Sequence, residues 1–241
     1  MIELRSLSCS YSKEDILKDI DLFIPSHLTI LGANGSGKST LVRCICSLTE
    51  YDGEIVIDEA NVKNLSNLDR AKTLSYIPAK LEIYDSFITL YDFILLGRFA
   101  YKKTFFEYSK EDKKIADEKI GILGLEHLRD HTLSSLSSGE QQLAMIAAAL
   151  CQQSKIIIFD EPSANLDPHN SKIIANYIKK LKETHQVILI THDLHLAHYV
   201  DSAIAFIKDK KVSLYDNGFF NDDVLRDLYG VEFHSMALKY E

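Results

Sequence analysis

Apolar and polar positions follow two rhythms along the chain. Short runs rich in aliphatic and β-branched residues, "IELRSL", "LTILG" and "EIVID", occupy the first sixty residues. Similar runs, "KIIIFD", "QVILIT", "AIAFIK" and "KVSLYD", return after Ser154. Runs of this length and composition predict strands, and "HNSKIIANYIKKLKE" between the later ones has the spacing of an amphipathic helix. That alternation predicts an α/β fold, a mostly parallel central sheet with helices on its faces. Between about Leu81 and Leu150 the strand rhythm stops. The segments there suit helices, including "SKEDKKIADEKIGILGL", where Ser109 stands as an N-cap ahead of acidic first-turn residues. The expectation is one domain over 1–241, with a core from 1–80 and 151–241 and an inserted helical lobe over about 81–150. No internal repeat, low-complexity segment or interdomain linker interrupts it.

Composition narrows the function classes. The chain has 241 residues, 46% of them apolar, enough to bury one sizeable core. Its formal charge of -8, without a long basic run, argues against a general nucleic-acid binder. The start carries no signal-peptide core, and no run reaches the roughly 18 apolar residues of a membrane span. The nearest candidate, "SFITLYDFILLGRF", is broken by Asp92 and Arg98. The four cysteines form no Cys-x-x-Cys pair, so a structural role and the reducing cytosol are the expectation.

The chemistry concentrates in a few stretches. "LTILGANGSGKST" runs from a predicted strand through Gly32, Ala33, Asn34, Gly35, Ser36, Gly37, Lys38, Ser39 and Thr40 into a predicted helix. Glycines let backbone N–H groups wrap phosphate oxygens, Lys38 offers a point charge to the outer phosphates, and Ser39 offers a hydroxyl to magnesium. Upstream, Tyr11 lies where an aromatic ring can stack on adenine, or simply pack. "KIIIFDEP" ends a buried strand in two acids: Asp160 is placed to hold magnesium and Glu161 to act as general base, the bland alternative being a solvated strand cap. "VILITHD" ends similarly in His192, which can hydrogen-bond a γ-phosphate. His195 and His198 follow at helical spacing; with no carboxylate or Cys partner evident, they read as a helix face. A second Ser/Gly-rich helix start, "LSSLSSGEQQLAMIAAAL", also offers an anion-facing N-terminus.

Phosphate loop, Ser/Gly signature, "IIIFDEP", "SANLD" and "THD", in that order and with a helical insert before the signature, closely resemble the ATP-binding cassette of ABC transporters over nearly the whole chain. The resemblance implies a P-loop NTPase core with antiparallel N-terminal strands. It also implies a head-to-tail dimer in which the signature of one copy closes over the ATP held by the other. By that resemblance Tyr11 stacks on adenine, Gly32 to Thr40 bind phosphates, and Ser39 and Asp160 serve Mg. Glu161 is the base, His192 the switch histidine, Lys38 a catalytic charge, and Ser163 to Asp167 the loop that crosses the dimer interface. Ser137, Ser138, Gly139 and Glu140 form the signature. Ser138 and Glu140 depart from the family's glycine and glutamine. Ala79, in "SYIPAKLEIYD", stands where the family has a glutamine that reaches magnesium and the attacking water and links the core to the helical lobe.

"FILLGRF", "GLEHLRDHTLSSLSSGE", "THDLHLAHYVD" and "LYGVEF" look most like ATPases of iron-siderophore, haem or cobalamin importers, with zinc or manganese importers as nearest competitor. That implies integral membrane permease subunits as partners, indirectly a substrate-binding protein, and a cytoplasmic, peripheral place on the inner face of the cell membrane. The aromatic and aliphatic content of "YDSFITLYDFILLGRF" makes this stretch the expected docking surface, with part of it exposed; Tyr84, Phe87 and Leu90 all packed inside would remove that support. Two rivals remain open: a soluble cassette such as the ATPase of iron-sulfur cluster assembly, and a nucleotide-gated module with little turnover.

Overall fold

A computed structural model describes residues 1–12, 14–102, 107–164, 166–215 and 218–230. The chain divides into two compact units, 1–65 with 175–241 and 66–174.

The first unit opens with β1 (Ile2–Tyr11) and β2 (Glu14–Ile24), paired antiparallel. Both bury every second residue except at one step, where Leu4 is followed by Leu7 and Leu17 by Ile20. At those steps Ser6 and Asp19 take positive φ (46° and 49°) and the ladder register shifts. These are β-bulges, and they return the apolar residues to the buried face. They also explain why "EDILKDIDLFI" escapes a period-two reading: the extra residue breaks the alternation in the sequence while restoring it in space. β4 (Asp52–Ile57) pairs antiparallel with β1, and β5 (Ala60–Asn61) with β4, completing the N-terminal antiparallel sheet.

The same unit holds β3 (Leu28–Gly32), followed by α1 (Lys38–Ile45), and β8 (Gln186–Ile190), followed by α7 (Leu194–Val200). β3 runs parallel to β8 and to β9 (Ala203–Lys208), while β10 (Lys211–Tyr215) adds antiparallel to β9. α8 (Asp222–Tyr229) places Leu225 in a core cluster with Leu31, Ala197, Ile204, Phe206 and Phe219. Cys9, Cys44, Cys46 and Cys151 are all buried thiols outside any disulfide, and burial pushes Cys151 up to about 12.

The second unit contains α2 (Asn67–Thr73), β6 (Leu74–Ile77), α3 (Leu90–Leu96), α4 (Lys110–Ile122), α5 (Ser138–Gln152) and β7 (Ile156–Asp160). β6 and β7 pair in parallel, and α5 packs on α3, α4 and β6. α6 (Pro168–Leu181) spans the division between the units. Inside this unit a buried ion pair ties the helices: Arg98 Nε donates to Asp112 Oδ1 (2.9 Å), and its Nη1 donates to Cys151 O (2.8 Å) and Gln153 Oε1 (2.7 Å). Ser109 caps α4 through a reciprocal box with Asp112, the cap expected from sequence. Tyr84 and Phe87 are 91% and 85% exposed. Leu90 is not part of the exposed patch. It opens α3, donates its N–H to His131 O (2.9 Å) and is wholly buried.

Candidate active site

The phosphate loop grows from β3, whose five residues are all buried. Gly32 closes the strand at φ 153°; a Cβ there would lie 2.7 Å from both Ile207 O and Ser36 Oγ, so only glycine lets the loop lie against β9. Ser36 N donates to Ala33 O (3.1 Å), folding the turn. α1 then starts at Lys38 with Gly37 as N-cap in the left-handed region, no side chain capping it and no acid in its first turn. Lys38 is 6% exposed and its Nζ donates to Gly32 O (2.9 Å) and Ala33 O (3.1 Å), so the ammonium is folded back over the loop. Ser36 Oγ is buried without a hydrogen-bond partner. An uncapped helix start, a buried cation and an orphaned hydroxyl together fit a polyphosphate chain. Ala33, Asn34, Gly35 and Ser39 are exposed and Thr40 half-buried. Tyr11, at the end of β1, keeps its ring 46% exposed, open to stacking.

In the same unit, Ile30 is registered with Ile190, so β3 and β8 end on one edge. Thr191 N donates to Ile30 O (3.2 Å), and Thr191 Oγ1 accepts from Asp193 N (3.0 Å). Asp193 in turn caps α7, accepting from His195 N and Leu196 N. His192 is thus pinned on both sides of its backbone and exposed at the edge from which the phosphate loop leaves. His198 packs edge-on against Phe220, at 4.9 Å between ring centroids.

In the second unit β7 carries Asp160, 4% exposed, and Tyr76 Oη donates to Asp160 Oδ2 (2.8 Å). Glu161 follows at φ 48°, and its carbonyl accepts from Ala164 N (3.0 Å), so the chain turns away directly after the strand. A left-handed glutamate is uncommon, and such backbone strain concentrates at functional positions. Ala79, just beyond β6, is half-buried and Lys80 exposed. Of the interface loop, Asn165 lies outside the described residues, as do residues 231–233 of "LYGVEF". Ser163 and Leu166 are joined by Leu166 N to Ser163 O (3.3 Å). Asp167 accepts from His169 N (2.9 Å), Asn170 N (3.0 Å) and Asn170 Nδ2 (2.6 Å); these bonds, the Asn170 N–H foremost, hold its carboxyl below the usual range.

The signature opens α5 with a closed cap. Ser137 is the N-cap, and Glu140 N donates to Ser137 Oγ (3.4 Å). Glu140 Oε2 accepts from Ser137 N (2.8 Å) and from Ser137 Oγ (2.7 Å). The Ser137 hydroxyl first, then its N–H, with His127 and His131 nearby, hold the Glu140 carboxyl below its ordinary value. Ser138 is exposed. Gly139 is buried: a Cβ there would lie 2.7 Å from Asn170 Cγ, so the helix start and the Asp167 loop meet at this glycine. Gln141 Nε2 donates to Leu133 O (3.0 Å) and Leu136 O (3.1 Å), bracing the approach to the signature. Tyr76, Asn170 and Gln141 were not singled out by sequence. The Ser137-x-x-Glu140 box carried a legible signal, the capping-box spacing. Beside α5, a groove of about 260 Å³ is lined by Tyr76, Pro78, Leu81, Phe93, Leu96 and Met145, among others.

Residues 17–164 match the family model described as ABC transporter. The manganese transport system ATP-binding protein MntB of Halalkalibacterium halodurans is 30% identical over 87% of this chain and 84% of its own length. The petrobactin import ATP-binding protein FpuD of Bacillus anthracis is 28% identical over 96% of this chain and 87% of its own. Among solved structures, a dimeric bacterial ABC transporter cassette superposes with a TM-score of 0.79 at 28% identity, covering 91% of this chain and all of that one.

Proposed function

This chain belongs to the ABC transporter family, and from that premise we propose that it is the ATP-hydrolysing subunit of an importer whose cargo is an iron-siderophore, haem or cobalamin complex. The carrying observation is the uncapped start of α1 with Lys38 buried inside its own loop, a site built for the phosphates of ATP. In this reading adenine stacks on Tyr11, and residues 32–40 wrap the phosphates. Magnesium suits an oxygen-only donor set, so Ser39 and Asp160 would hold it, and it supplies neutralisation of phosphate charge. Lys38 draws charge from the outer phosphate, and His192 donates a hydrogen bond to it. Glu161 accepts the proton of the attacking water. Ser137, Ser138, Gly139 and Glu140 face the nucleotide of a second copy.

No helix among the described residues is long and apolar enough to cross a membrane. In this reading translocation belongs to separate permease subunits. The groove beside α5 and the exposed Tyr84 and Phe87 support docking to them, on the inner face of the membrane. A substrate-binding protein enters only through those subunits. The relative named for manganese transport keeps a metal-ion cargo as the nearest alternative.

Glu161→Gln is the test. ATP binding is retained, hydrolysis falls about 100-fold or more, and a closed dimer accumulates on ATP; hydrolysis at the wild-type rate refutes the assignment. A second reading, a cassette that binds ATP but turns it over slowly, is favoured by Ala79 and by the carboxylate of Glu140 at the signature. Under it, Ala79→Gln raises turnover without changing ATP affinity. Equal rates for the two chains, alone and with the permease, exclude that explanation.

A further inference from the structure

The side chain at position 79 is a methyl group, with no polar atom to offer to the groove or to Asp160. β6 and β7 are parallel, with Tyr76 registered on Ile158. Alternate residues of a strand share a face, so Tyr76, Ile158 and Asp160 project to the same side, Asp160 about 6.6 Å further along. A tyrosine is long enough to bridge that step, and the phenol of Tyr76 does so, donating to Asp160 Oδ2 at 2.8 Å. The same residue lines the groove with Pro78, Leu81, Phe93, Leu96 and Met145. One side chain therefore touches both the magnesium-site acid and the surface offered to a membrane subunit.

We propose that Tyr76 is a positioning residue that orients Asp160 for magnesium and carries occupancy of the groove to the metal site, the linkage Ala79 has no atoms to make. The inference rests on the reading of Asp160 as the metal-site acid. A phenol bonded to one carboxylate oxygen restrains the plane of the group, and bonds to a charged acceptor are strong enough to hold such an orientation. A partner helix or loop pressed into the groove meets the tyrosine ring, and a shift of the ring moves its hydroxyl relative to Asp160. Lys80, the next side chain along, is exposed.

Tyr76→Phe keeps the ring and removes one oxygen. The probe is manganese, followed by its electron paramagnetic resonance, with the intact chain and a non-hydrolysable ATP analogue. The half-saturating manganese concentration is expected to rise about tenfold in Tyr76→Phe, while affinity for the analogue without metal stays the same. Ala148→Leu, which narrows the groove, is expected to shift the manganese half-saturation in the Tyr76 chain and to leave it unmoved in the Tyr76→Phe chain, a coupling read by the double-mutant cycle. Asp160→Asn separates the layers of the argument. If it leaves manganese binding intact, the metal-site reading and this proposal fall together. If it abolishes binding while Tyr76→Phe leaves the half-saturation unchanged, whatever its melting temperature, only the role of Tyr76 falls. Equal shifts from Ala148→Leu in both backgrounds overturn the link to the groove.

Discussion

The helix starts at Lys38 and at Ser138 share a Ser/Gly-rich approach and an apolar continuation, yet they are opposite devices. Every α-helix leaves its first N–H groups without partners in the helix. At α1 the N-cap is Gly37, the third helical residue is Thr40, and no side chain closes the end. At α5 the N-cap is Ser137, the third residue is Glu140, and the two bond each other reciprocally. The first leaves its donors and dipole to an incoming anion. The second answers them with its own carboxylate and sets a negative charge where the resemblance puts a second copy's γ-phosphate. Serine and glycine content does not separate a phosphate site from a self-closed cap; the residue three positions into the helix does.

Removing the charge at the open start should have the largest effect. Lys38→Ala is expected to lower ATP hydrolysis by about 100-fold or more, since preorganised charge at the transferring phosphate is of that order. Isothermal titration and steady-state turnover read it, and near-normal activity would erase the distinction between the two ends. Next comes the backbone that shapes the loop. Gly32→Ala forces a methyl against Ile207 O, and roughly 1–3 kcal/mol of stability is expected to disappear in denaturant unfolding.

At the closed start the sign reverses. Glu140→Gln removes the competing charge, so ATP-driven self-association should tighten about fivefold, the scale of one charge at a helix end. Sedimentation with the Glu161→Gln background measures it, and weaker association would mean that the carboxylate assists closure. Ser137→Ala is the smallest perturbation, a lost cap worth about 1 kcal/mol at neutral pH. Glu140 is held below its ordinary value in the folded chain, so its contribution is complete above the unfolded carboxyl value of about 4 and fades as pH falls through the lowered one. The stability gap between wild type and Ser137→Ala should therefore shrink in acid; a gap that widens there would contradict the capping-box account.

Much of this was legible before any coordinates. The runs "LTILG", "KIIIFD" and "QVILIT" are buried strands, and the cap at Ser109 is where its spacing put it. β2 was not legible, because the bulge at Asp19 hides its alternation from a period-two count. Which part of "YDSFITLYDFILLGRF" is exposed was not legible: Tyr84 and Phe87 are exposed and Leu90 is buried, because its apolar neighbours do not reveal which way the first turn of α3 faces.

The sequence by itself determined the chemistry available: a glycine-rich turn with Lys38 and Ser39, the two acids at the end of β7, the histidine after β8, and a methyl group at position 79. These are local properties, set by residue type and by spacing within a few residues. The tertiary structure alone decided which groups meet. Asp160 and Tyr76 lie 84 positions apart in the chain, and only the parallel register of β6 on β7 brings the phenol onto the carboxylate. Asn170 reaches Gly139 because that glycine leaves room that any side chain would fill. Such contacts arise from strand register and close packing, which depend on the whole unit folding at once, and no local pattern encodes them.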